Sequence, residues 1–347
     1  MNIRGFLAVL AGLAWGPACG VAAPVVAKPL PGPYPIIRTI PDGDAFWDYA
    51  MFEPSEKRLY VAREDGVTVV DLPSGKITER FLTGKQVHAV VALSKGRALV
   101  TNGATDTATI FDRATGRILR TIATSKKPDG AVLDPASGLV MIMTGIGDEA
   151  MFVNPDTGAV FGRVKLEGEP GSPVVDGKGL LYVNVTDHSE VTVIDIASRK
   201  LVKKYPLPKC EDASALALDK ADGVLLAGCA NTKAVAVEAG TGKVLGEVTI
   251  AKYPDVIMYD PLRKVFYVPC VIPGTLDVVR LGKGRAPELL ASAPAAFGVH
   301  TGALDVAGGR LYLPAGDIRI PTVKGGRPTL APGSFKILVI DVNHHSP

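Results

Sequence analysis

The sequence predicts an all-β protein made of seven four-stranded antiparallel units that close into a ring. From Leu180 to Tyr205, three short runs of β-branched and aromatic residues alternate with polar turns, and this pattern recurs along most of the chain. The turn after the third run of each unit recurs at intervals of 41 to 43 residues. Four strands in about 42 residues, with no helical period between them, are typical of a β-propeller blade.

The repeated turn opens on a side chain with a free oxygen acceptor and in most copies closes on glycine. Asp and Asn accept hydrogen bonds from the backbone a few residues on, and glycine adopts the positive φ that the turn needs. The five copies begin at Asp71, Asp112, Asn154, Asp195 and Glu238. Their regular spacing indicates a repeat, which no single turn would do.

The second strand of each unit keeps the same phase and gives the number of blades. The seven runs begin at Arg58, Ala98, Leu139, Leu181, Val224, Val265 and Arg310. The sequence therefore predicts seven blades.

The two ends of the repeated region predict how the ring closes. The last unit has a third strand, Lys336 to Asp341, with almost nothing after it to serve as a fourth. The strand-like segment from Tyr34 to Ile40 precedes the first unit and has no other partner, so we expect it to complete the last blade. The predicted propeller domain spans residues 34–343, and the alternative is an open β-solenoid.

Composition limits the classes of partner. The chain has 347 residues, of which 47% are apolar and 21% charged, so it is long enough to bury a large core. Its formal net charge is +3, and it contains no block of like charges of the kind that nucleic-acid-binding proteins carry. We therefore expect no nucleic-acid partner.

The N-terminal residues have the pattern of an export signal. Arg4 is followed by an apolar run from Phe6 to Trp15 and then by small residues up to Ala27. The run is too short for a transmembrane helix, which needs ~20 apolar residues. We predict a signal peptide at residues 1–23, ending between 20 and 27, and a periplasmic protein without a transmembrane segment. Cys19 raises a lipoprotein alternative, although the residues before it match a lipobox poorly.

The repeats resemble those of the YncE-like family, which are secreted bacterial seven-bladed propellers with YVTN-type repeats. The resemblance covers residues 34–343 and is carried by Leu59-Tyr-Val-Ala, Leu181-Tyr-Val-Asn, the Asp-x-x-x-Gly-Lys turns, Cys210-Glu-Asp, Gly228-Cys229-Ala-Asn and Pro332-Gly-Ser-Phe. It implies a fold and leaves the function open, because the wider superfamily contains binding proteins, scaffolds and some lactonases.

Export and propeller topology together suggest one disulfide. Cys210 precedes the first strand of the fifth blade and Cys229 ends its second strand, so both lie on the same face of the ring. We predict a disulfide between them, as expected in an oxidising compartment. Cys270 is then left as a buried free thiol.

The first strand of each propeller blade lines the central channel, so residues in register on these strands form a ring. Five positions before the end of each first strand lie Asp48, His88, Asp129, Gly171, Ser214, Asp255 and His300. Carboxylates and imidazoles at one level are candidate ligand-binding residues. Nitrogen and oxygen donors of this kind suit a divalent metal such as Zn²⁺ or Mn²⁺. The candidate metal ligands are Asp48, His88, Asp129 and His300.

Other interpretations of these residues remain open. The same side chains can act as general acid and base, or they can simply bond water in a polar channel. A long insertion from Pro314 to Ser334, which includes Asp317, Arg319, Lys324 and Arg327, is expected on the same face and would form a lid. We also expect His188 on that face, as an exposed turn residue, and we expect Phe46 and Trp47 at the channel mouth to serve packing.

The leading functional hypothesis is an exported, monomeric binding protein. It would bind a small molecule, a metal or an envelope protein at the channel mouth. One alternative is a metal-dependent, lactonase-type hydrolase with Asp255 as the base. The other is a scaffold in a cell-envelope complex.

Overall fold

The structure, a computed structural model, describes residues 34–319 and 329–343. The predicted signal peptide and two charged residues of the insertion, Lys324 and Arg327, lie outside the described residues. In the described part of the chain no helix is long and apolar enough to cross a bilayer. One turn of 3₁₀ helix, Lys283–Arg285, is the whole helical content of the described residues.

In the described part of the chain the first strand is β1 (Ile36–Pro41), and three four-stranded blades follow it. Blade one contains β2 (Trp47–Glu53), β3 (Arg58–Arg63), β4 (Gly66–Asp71) and β5 (Ile77–Thr83). Blade two contains β6 (Val87–Leu93), β7 (Arg97–Asn102), β8 (Thr107–Asp112) and β9 (Ile118–Ala123). Blade three contains β10 (Pro128–Leu133), β11 (Val140–Thr144), β12 (Glu149–Val153) and β13 (Val160–Lys165).

The next three blades repeat this meander, with one interruption. Blade four contains β14 (Pro170–Val175), β15 (Leu180–Val185), β16 (Glu190–Asp195) and β17 (Lys200–Pro206). Blade five contains β18 (Ala213–Asp219), β19 (Val224–Cys229), β20 (Lys233–Glu238) and β21 (Val244–Thr249). In blade six the inner strand is split, and the blade contains β22 (Lys252–Pro254), β23 (Met258–Asp260), β24 (Val265–Ile272), β25 (Thr275–Leu281) and β26 (Pro287–Pro294).

The seventh blade joins the two ends of the domain. It contains β27 (Ala303–Asp305), β28 (Arg310–Ala315) and β31 (Lys336–Asp341), and a small hairpin of β29 (Ile318–Arg319) and β30 (Thr329–Leu330) lies between the last two. β1 runs antiparallel to β31, with Ile40 opposite Ile337, and supplies the fourth strand. The predicted closure by the N-terminal strand is confirmed.

The repeated turns have the predicted chemistry. In blade two the carboxylate of Asp112 accepts hydrogen bonds from the backbone N–H groups of Ala114 and Thr115, at 3.1 and 2.9 Å. Gly116 closes the turn with a φ of +73°. Asn154 and Asp195 accept equivalent backbone bonds in blades three and four. This local bonding explains why the same residue types recur at the blade period.

Side-chain alternation explains why the middle strands are apolar throughout. In β11 of blade three, Val140 and Ile142 pack in the core shared with blade two, whereas Met141 and Met143 pack in the core shared with blade four. Successive side chains of a strand point to opposite faces of its sheet. A blade covered on both faces therefore needs apolar residues at every position of its middle strands.

The ring is closed because each blade shares a core with both neighbours. The described residues form seven buried apolar clusters, one at each boundary between neighbouring blades. The cluster between blades seven and one contains Leu59 and Val61 from one side and Ile337 and Val339 from the other. An open solenoid would leave two terminal faces uncovered, so the closed propeller is the correct alternative.

A buried ion pair fixes the segment between β1 and β2. The guanidinium of Arg63 bonds to Asp42 at 2.6 Å and to the carbonyl of Ala45 at 2.9 Å, and it lies 3.6 Å from the centre of the Phe335 ring. Asp44 accepts a hydrogen bond from the backbone of Phe335 at 3.1 Å. These contacts attach the closing strand to blade one and to the chain just before β31.

The predicted disulfide is present in the structure. Cys210 and Cys229 are bonded, and both are buried in the core between blades four and five. Cys270 is a buried free cysteine, as expected.

Removing the disulfide tests its contribution to stability. We expect the Cys210→Ser/Cys229→Ser variant to lose about 3 kcal/mol of unfolding free energy in denaturant titrations, because a closed loop of this size restricts the unfolded chain. Adding reductant should destabilise the wild type by a similar amount and leave the variant unchanged. Equal stability of the oxidised wild type and the variant would contradict this expectation.

Two glycines with similar backbones test the turn geometry. Gly116 and Gly138 have φ values of +73° and +70°, but a Cβ on Gly116 would collide with the carbonyl oxygen of Phe81, whereas a Cβ on Gly138 would meet nothing within 4 Å. Gly138→Ala should cost about 1–2 kcal/mol of unfolding free energy, the usual cost of left-handed backbone for alanine. Gly116→Ala should cost clearly more in the same denaturant titration, and equal losses would contradict the predicted clash.

Candidate functional site

The inner strands of blades one to five each carry a β-bulge at the level of the predicted ring. In blades one to four, two unpaired residues of the inner strand lie opposite one residue of the second strand. In blade five the inner strand has one extra residue. The residues at the bulges are Asp48–Tyr49, His88–Ala89, Asp129–Gly130, Gly171–Ser172 and Ser214. A bulge bends the strand and re-aims its side chains, and this is why these positions carry unusual residues.

Polar side chains of the second strands bond the backbone groups that the bulges leave unpaired. Thr101 lies opposite the bulge of blade two. Its hydroxyl accepts a hydrogen bond from the N–H of Ala89 at 2.9 Å and donates to the carbonyl of Asp129 at 2.7 Å. Asn184 of blade four donates to the carbonyl of Ala215 at 2.7 Å. These bonds hold each bulge in place and tie it to the next blade.

Further hydrogen bonds link the ring residues of different blades. The pairs are Thr301 Oγ1 to Asp48 O, Ser172 Oγ to Asp255 O, Ser214 Oγ to Pro254 O and Val256 N to His300 O, at 2.7, 3.1, 2.8 and 3.1 Å. The backbone around the channel is therefore fixed, which presets the positions of the ring side chains.

Asp48 and His88 form a buried pair between blades one and two. His88 Nδ1 lies 2.6 Å from Asp48 Oδ2, and the two side chains are 2% and 7% exposed. With Asp48 ionised, Nδ1–H donates to the carboxylate. In the neutral imidazole, Nε2 then keeps its lone pair. A Cβ on Gly103 would lie 2.6 Å from Nε2, so the glycine leaves room beside this atom.

Asp129 of blade three completes a cluster of three potential metal ligands. One ligand atom from each of Asp48, His88 and Asp129 lies within 4.8 Å of the other two. Asp48 Oδ1, His88 Nε2 and Asp129 Oδ1 are buried and have no hydrogen-bond partner among the described residues. Buried polar atoms are nearly always bonded, so unpaired atoms from three blades in one cluster point to a bound ligand or water.

The electrostatics of the cluster favour a cation. Burial raises the pKa of Asp48 from 3.8 to about 6, against the opposing influence of His88 and with the help of the neighbouring Asp129 and Asp255. Burial lowers the pKa of His88, but the charges of Asp129 and Asp48 outweigh it, so this pKa is raised above 6.5. The Asp48 shift thus reflects burial first and the His88 shift reflects the neighbouring carboxylates, and a bound cation would favour the ionised carboxylates.

His300 lies outside this three-residue group. Its ring packs against Trp47, with centroids 5.4 Å apart, and its Nδ1–H donates to the carbonyl of Gly298 at 2.7 Å. Of the four predicted metal ligands, the structure thus brings three together and turns the fourth toward the aromatic side of the mouth.

Asp255 occupies the gap between the two halves of the split inner strand of blade six. The residue is 1% exposed, and its charge raises the pKa values of Asp48 and Tyr49. Asp255 therefore faces the same channel as the three-residue cluster, as the ring alignment predicted.

Tyr49 follows Asp48 in the bulge of blade one and was not among the residues predicted for the site. A Cβ on Gly130 would lie 3.4 Å from the Tyr49 hydroxyl, so this side chain reaches across to blade three. Burial, followed by the charges of Asp255, Asp129 and Asp48, raises the pKa of Tyr49 well above 10. Only knowledge of the bulge would have revealed that the residue after Asp48 also points inward.

Lys127, two residues before Asp129, was also missed. It is 9% exposed, and its charge acts to lower the pKa of His88. Its backbone has a φ of +58°, and its N–H donates to Asp106 at 2.8 Å. Lysine is rarely buried, and its burial here places it beside an acidic cluster. The sequence around Lys127 looks like that of an ordinary exposed turn, so it gave no sign of this burial.

The insertion of blade seven begins and ends beside the channel mouth, as expected. A Cβ on Gly316 would touch both Trp47 and Leu330, at 3.0 and 3.2 Å. Trp47 packs against His300 and Phe335. His188 lies in an exposed turn.

The arrangement can bind a divalent cation through one imidazole and two carboxylates. Such a mixed nitrogen and oxygen set is suited to Zn²⁺ or Mn²⁺ and leaves coordination positions for an outside ligand. The same residues can also exchange protons, because an imidazole and two carboxylates are the groups that most often act as general acids and bases.

A sequence model of the family described as outer membrane protein assembly factor BamB matches residues 104–303, more than half of the chain. No curated protein sequence matches the chain significantly.

Solved structures share the fold at low identity. The structure titled U3-55K has a TM-score of 0.73 at 10% identity and covers 87% of this chain and 97% of its own. A chain of the mitotic checkpoint complex has a TM-score of 0.71 at 16% identity, with coverages of 95% and 99%. Virginiamycin B lyase from Staphylococcus aureus has a TM-score of 0.69 at 15% identity, with coverages of 88% and 98%. At these identities the similarity shows the fold alone.

The buried pair predicts a pH dependence of stability in protein freed of metal by a chelator. Because the folded-state pKa of Asp48 is raised from 3.8 to about 6 and that of His88 is raised above 6.5, the folded state binds more protons than the unfolded state across this range. The contribution of Asp48 should therefore be fully present below pH 3.8 and be lost as the pH rises to about 6, and that of His88 should be lost only as the pH rises above 6.5. In urea titrations, the unfolding free energy of the wild type minus that of the Asp48→Asn/His88→Gln variant should decrease as the pH rises. An increase of this difference with pH would contradict the prediction.

Proposed function

We propose that this chain, which belongs to the family described as outer membrane protein assembly factor BamB, is an exported binding protein that holds a divalent cation at its channel mouth. The cation would be bound by Asp48, His88 and Asp129. The observation that carries the proposal is a group of three buried side chains from three successive blades, each of which has a buried polar atom without a hydrogen-bond partner among the described residues.

Export is supported by three independent features. Residues 1–23 have the pattern of a signal peptide, the fifth blade contains a disulfide, and the family description refers to the outer membrane. The periplasm is the compartment that fits all three. Within the propeller fold we further propose a place among the YncE-like proteins with YVTN-type repeats, which the Leu-Tyr-Val motifs at Leu59 and Leu181 support.

A second candidate function is that of a scaffold in a cell-envelope complex. The family match favours it, because the family is described as an assembly factor. In this case a partner protein would bind an outer surface of the ring. Copurification of an envelope protein that persists when His88 is replaced would support this alternative.

A hydrolytic function is a further alternative that uses the same channel. The cation would polarise a lactone carbonyl, and Asp255 would act as base. The buried position of Asp255 beside the cluster is the observation in its favour. Turnover of a lactone panel by the metal-loaded protein, lost in Asp255→Asn, would support a hydrolase, and absence of turnover would leave the binding function.

The metal proposal predicts stoichiometric binding. After removal of metal and dialysis against Zn²⁺ or Mn²⁺, the wild type should retain one equivalent by elemental analysis. His88→Ala and Asp129→Ala should weaken binding at least ~100-fold, because each removes one of three protein ligands. Metal at 100 times the dissociation constant should also stabilise the wild type by ~2.7 kcal/mol in denaturant titrations.

His188→Ala is the matched control, since it removes an imidazole from an exposed turn outside the ring. It should bind metal like the wild type. Lack of retained metal in the wild type, or unchanged binding by His88→Ala, would refute the proposal.

A further inference from the structure

The rim of the channel mouth differs between the two halves of the ring. In blades two to five, the residues two positions before the ring residues are polar or charged: Gln86, Lys127, Glu169 and Asp212. In blades six, seven and one, aromatic residues lie one to three positions before the ring residues: Tyr253, Phe297, Phe46 and Trp47. One side of the mouth is thus aromatic and the other polar.

The aromatic side is a single surface. Phe46, Tyr253 and Phe297 are half-buried and all pack against the same core cluster, which contains Trp47. These residues, which share one core cluster at the channel mouth, are called the aromatic sector. Burial, followed by the charge of Asp212, raises the pKa of Tyr253, so the sector borders the polar half of the rim.

Trp47 supplies an unpaired polar atom inside this sector. The residue is 4% exposed, and its indole N–H has no hydrogen-bond partner among the described residues. A buried indole N–H usually finds an acceptor, so this donor is an expected contact for a ligand oxygen. The Trp47 ring packs against His300, with centroids 5.4 Å apart, so it lies beside the ring level of the channel.

We infer that the channel mouth binds a small molecule that combines an aryl ring with two adjacent oxygen donors. The oxygens would complete the coordination of the cation and accept the Trp47 N–H, and the ring would lie on the aromatic sector. This inference rests on the proposed function, because the oxygen donors need the cation held by Asp48, His88 and Asp129.

The coordination number supports a two-oxygen ligand. Three protein ligands leave one position open on a tetrahedral Zn²⁺ and up to three on an octahedral Mn²⁺. A chelating ligand fills two neighbouring coordination positions and loses the translational and rotational entropy of one molecule, whereas two separate ligands would lose that of two. The aromatic ring then contributes stacking with a preferred geometry, which an aliphatic group cannot supply.

Two hydroxamates with the same chelating group distinguish the contribution of the aryl ring to binding from that of the chelating oxygens. Benzohydroxamate and acetohydroxamate both offer two oxygens, and only the first carries an aryl ring. On Mn²⁺-loaded wild type, calorimetric titration should give at least about tenfold tighter binding of benzohydroxamate. Tyr253→Ala and Phe46→Ala should remove most of this difference. Trp47→Phe should weaken both probes by about tenfold, because it deletes the N–H and keeps a ring.

Metal affinity is measured separately on each variant, which also reports whether its channel is intact. Tyr253→Ala and Phe46→Ala should hold Mn²⁺ as tightly as the wild type. Phe161→Ala, which removes an exposed aromatic ring from outer strand β13, is the matched control and should leave both probes and the metal unchanged.

The outcomes separate the two proposals. If the wild type binds Mn²⁺ but shows no preference for benzohydroxamate, or keeps that preference in both aromatic variants, the aryl ligand is refuted and the metal site stands. If the wild type fails to bind Mn²⁺, the metal site is refuted and the inference falls with it.

Discussion

Closure of the ring by β1 and β31 is the constraint on which the rest of the structure depends. Each blade has two apolar faces, and neither face can be left to water, so seven blades need seven shared cores. The last core forms only if the N-terminal strand enters the seventh sheet and if Arg63 and Asp42 fix the turn that follows it. Without this closure, the inner strands would have no common axis around which to place their side chains.

The channel site is a consequence of how the inner strands meet that axis. A regular strand alternates its side chains between the two neighbouring blades and presents none of them squarely to the channel. The bulges remove this limit, since Asp48, His88 and Asp129 each occupy an interruption of the ladder. Hydroxyl and amide groups such as those of Thr101 and Asn184 then bond the released backbone. The acidic cluster is thus built into a framework that is already hydrogen-bonded.

Much of the fold could be predicted from sequence, because its causes are local. Short β-branched and aromatic runs and Asp-to-Gly turns can be read residue by residue, and their spacing indicated the number of blades and the phase of the ring. The site was predicted only in part, because its details depend on contacts between blades. Nothing near His300 indicated that Gly298 and Trp47 would orient its ring, and no local pattern showed that Tyr49 would reach Gly130. The bulges themselves are defined by pairing, which one strand alone cannot reveal.

The shared seventh blade also has a topological consequence. Because β1 and β31 are neighbours in one sheet, the first and last strands of the domain meet at a single place on the circumference. The domain can therefore be regarded as a closed ring of strands whose backbone is interrupted once, between β31 and β1 of blade seven. In a circular permutant with its termini between two other blades, each sheet would consist of strands from one continuous stretch of chain. Side-chain packing alone would then hold the first and last blades together. With the ends of the domain inside blade seven, backbone hydrogen bonds between β1 and β31 also hold the ring closed.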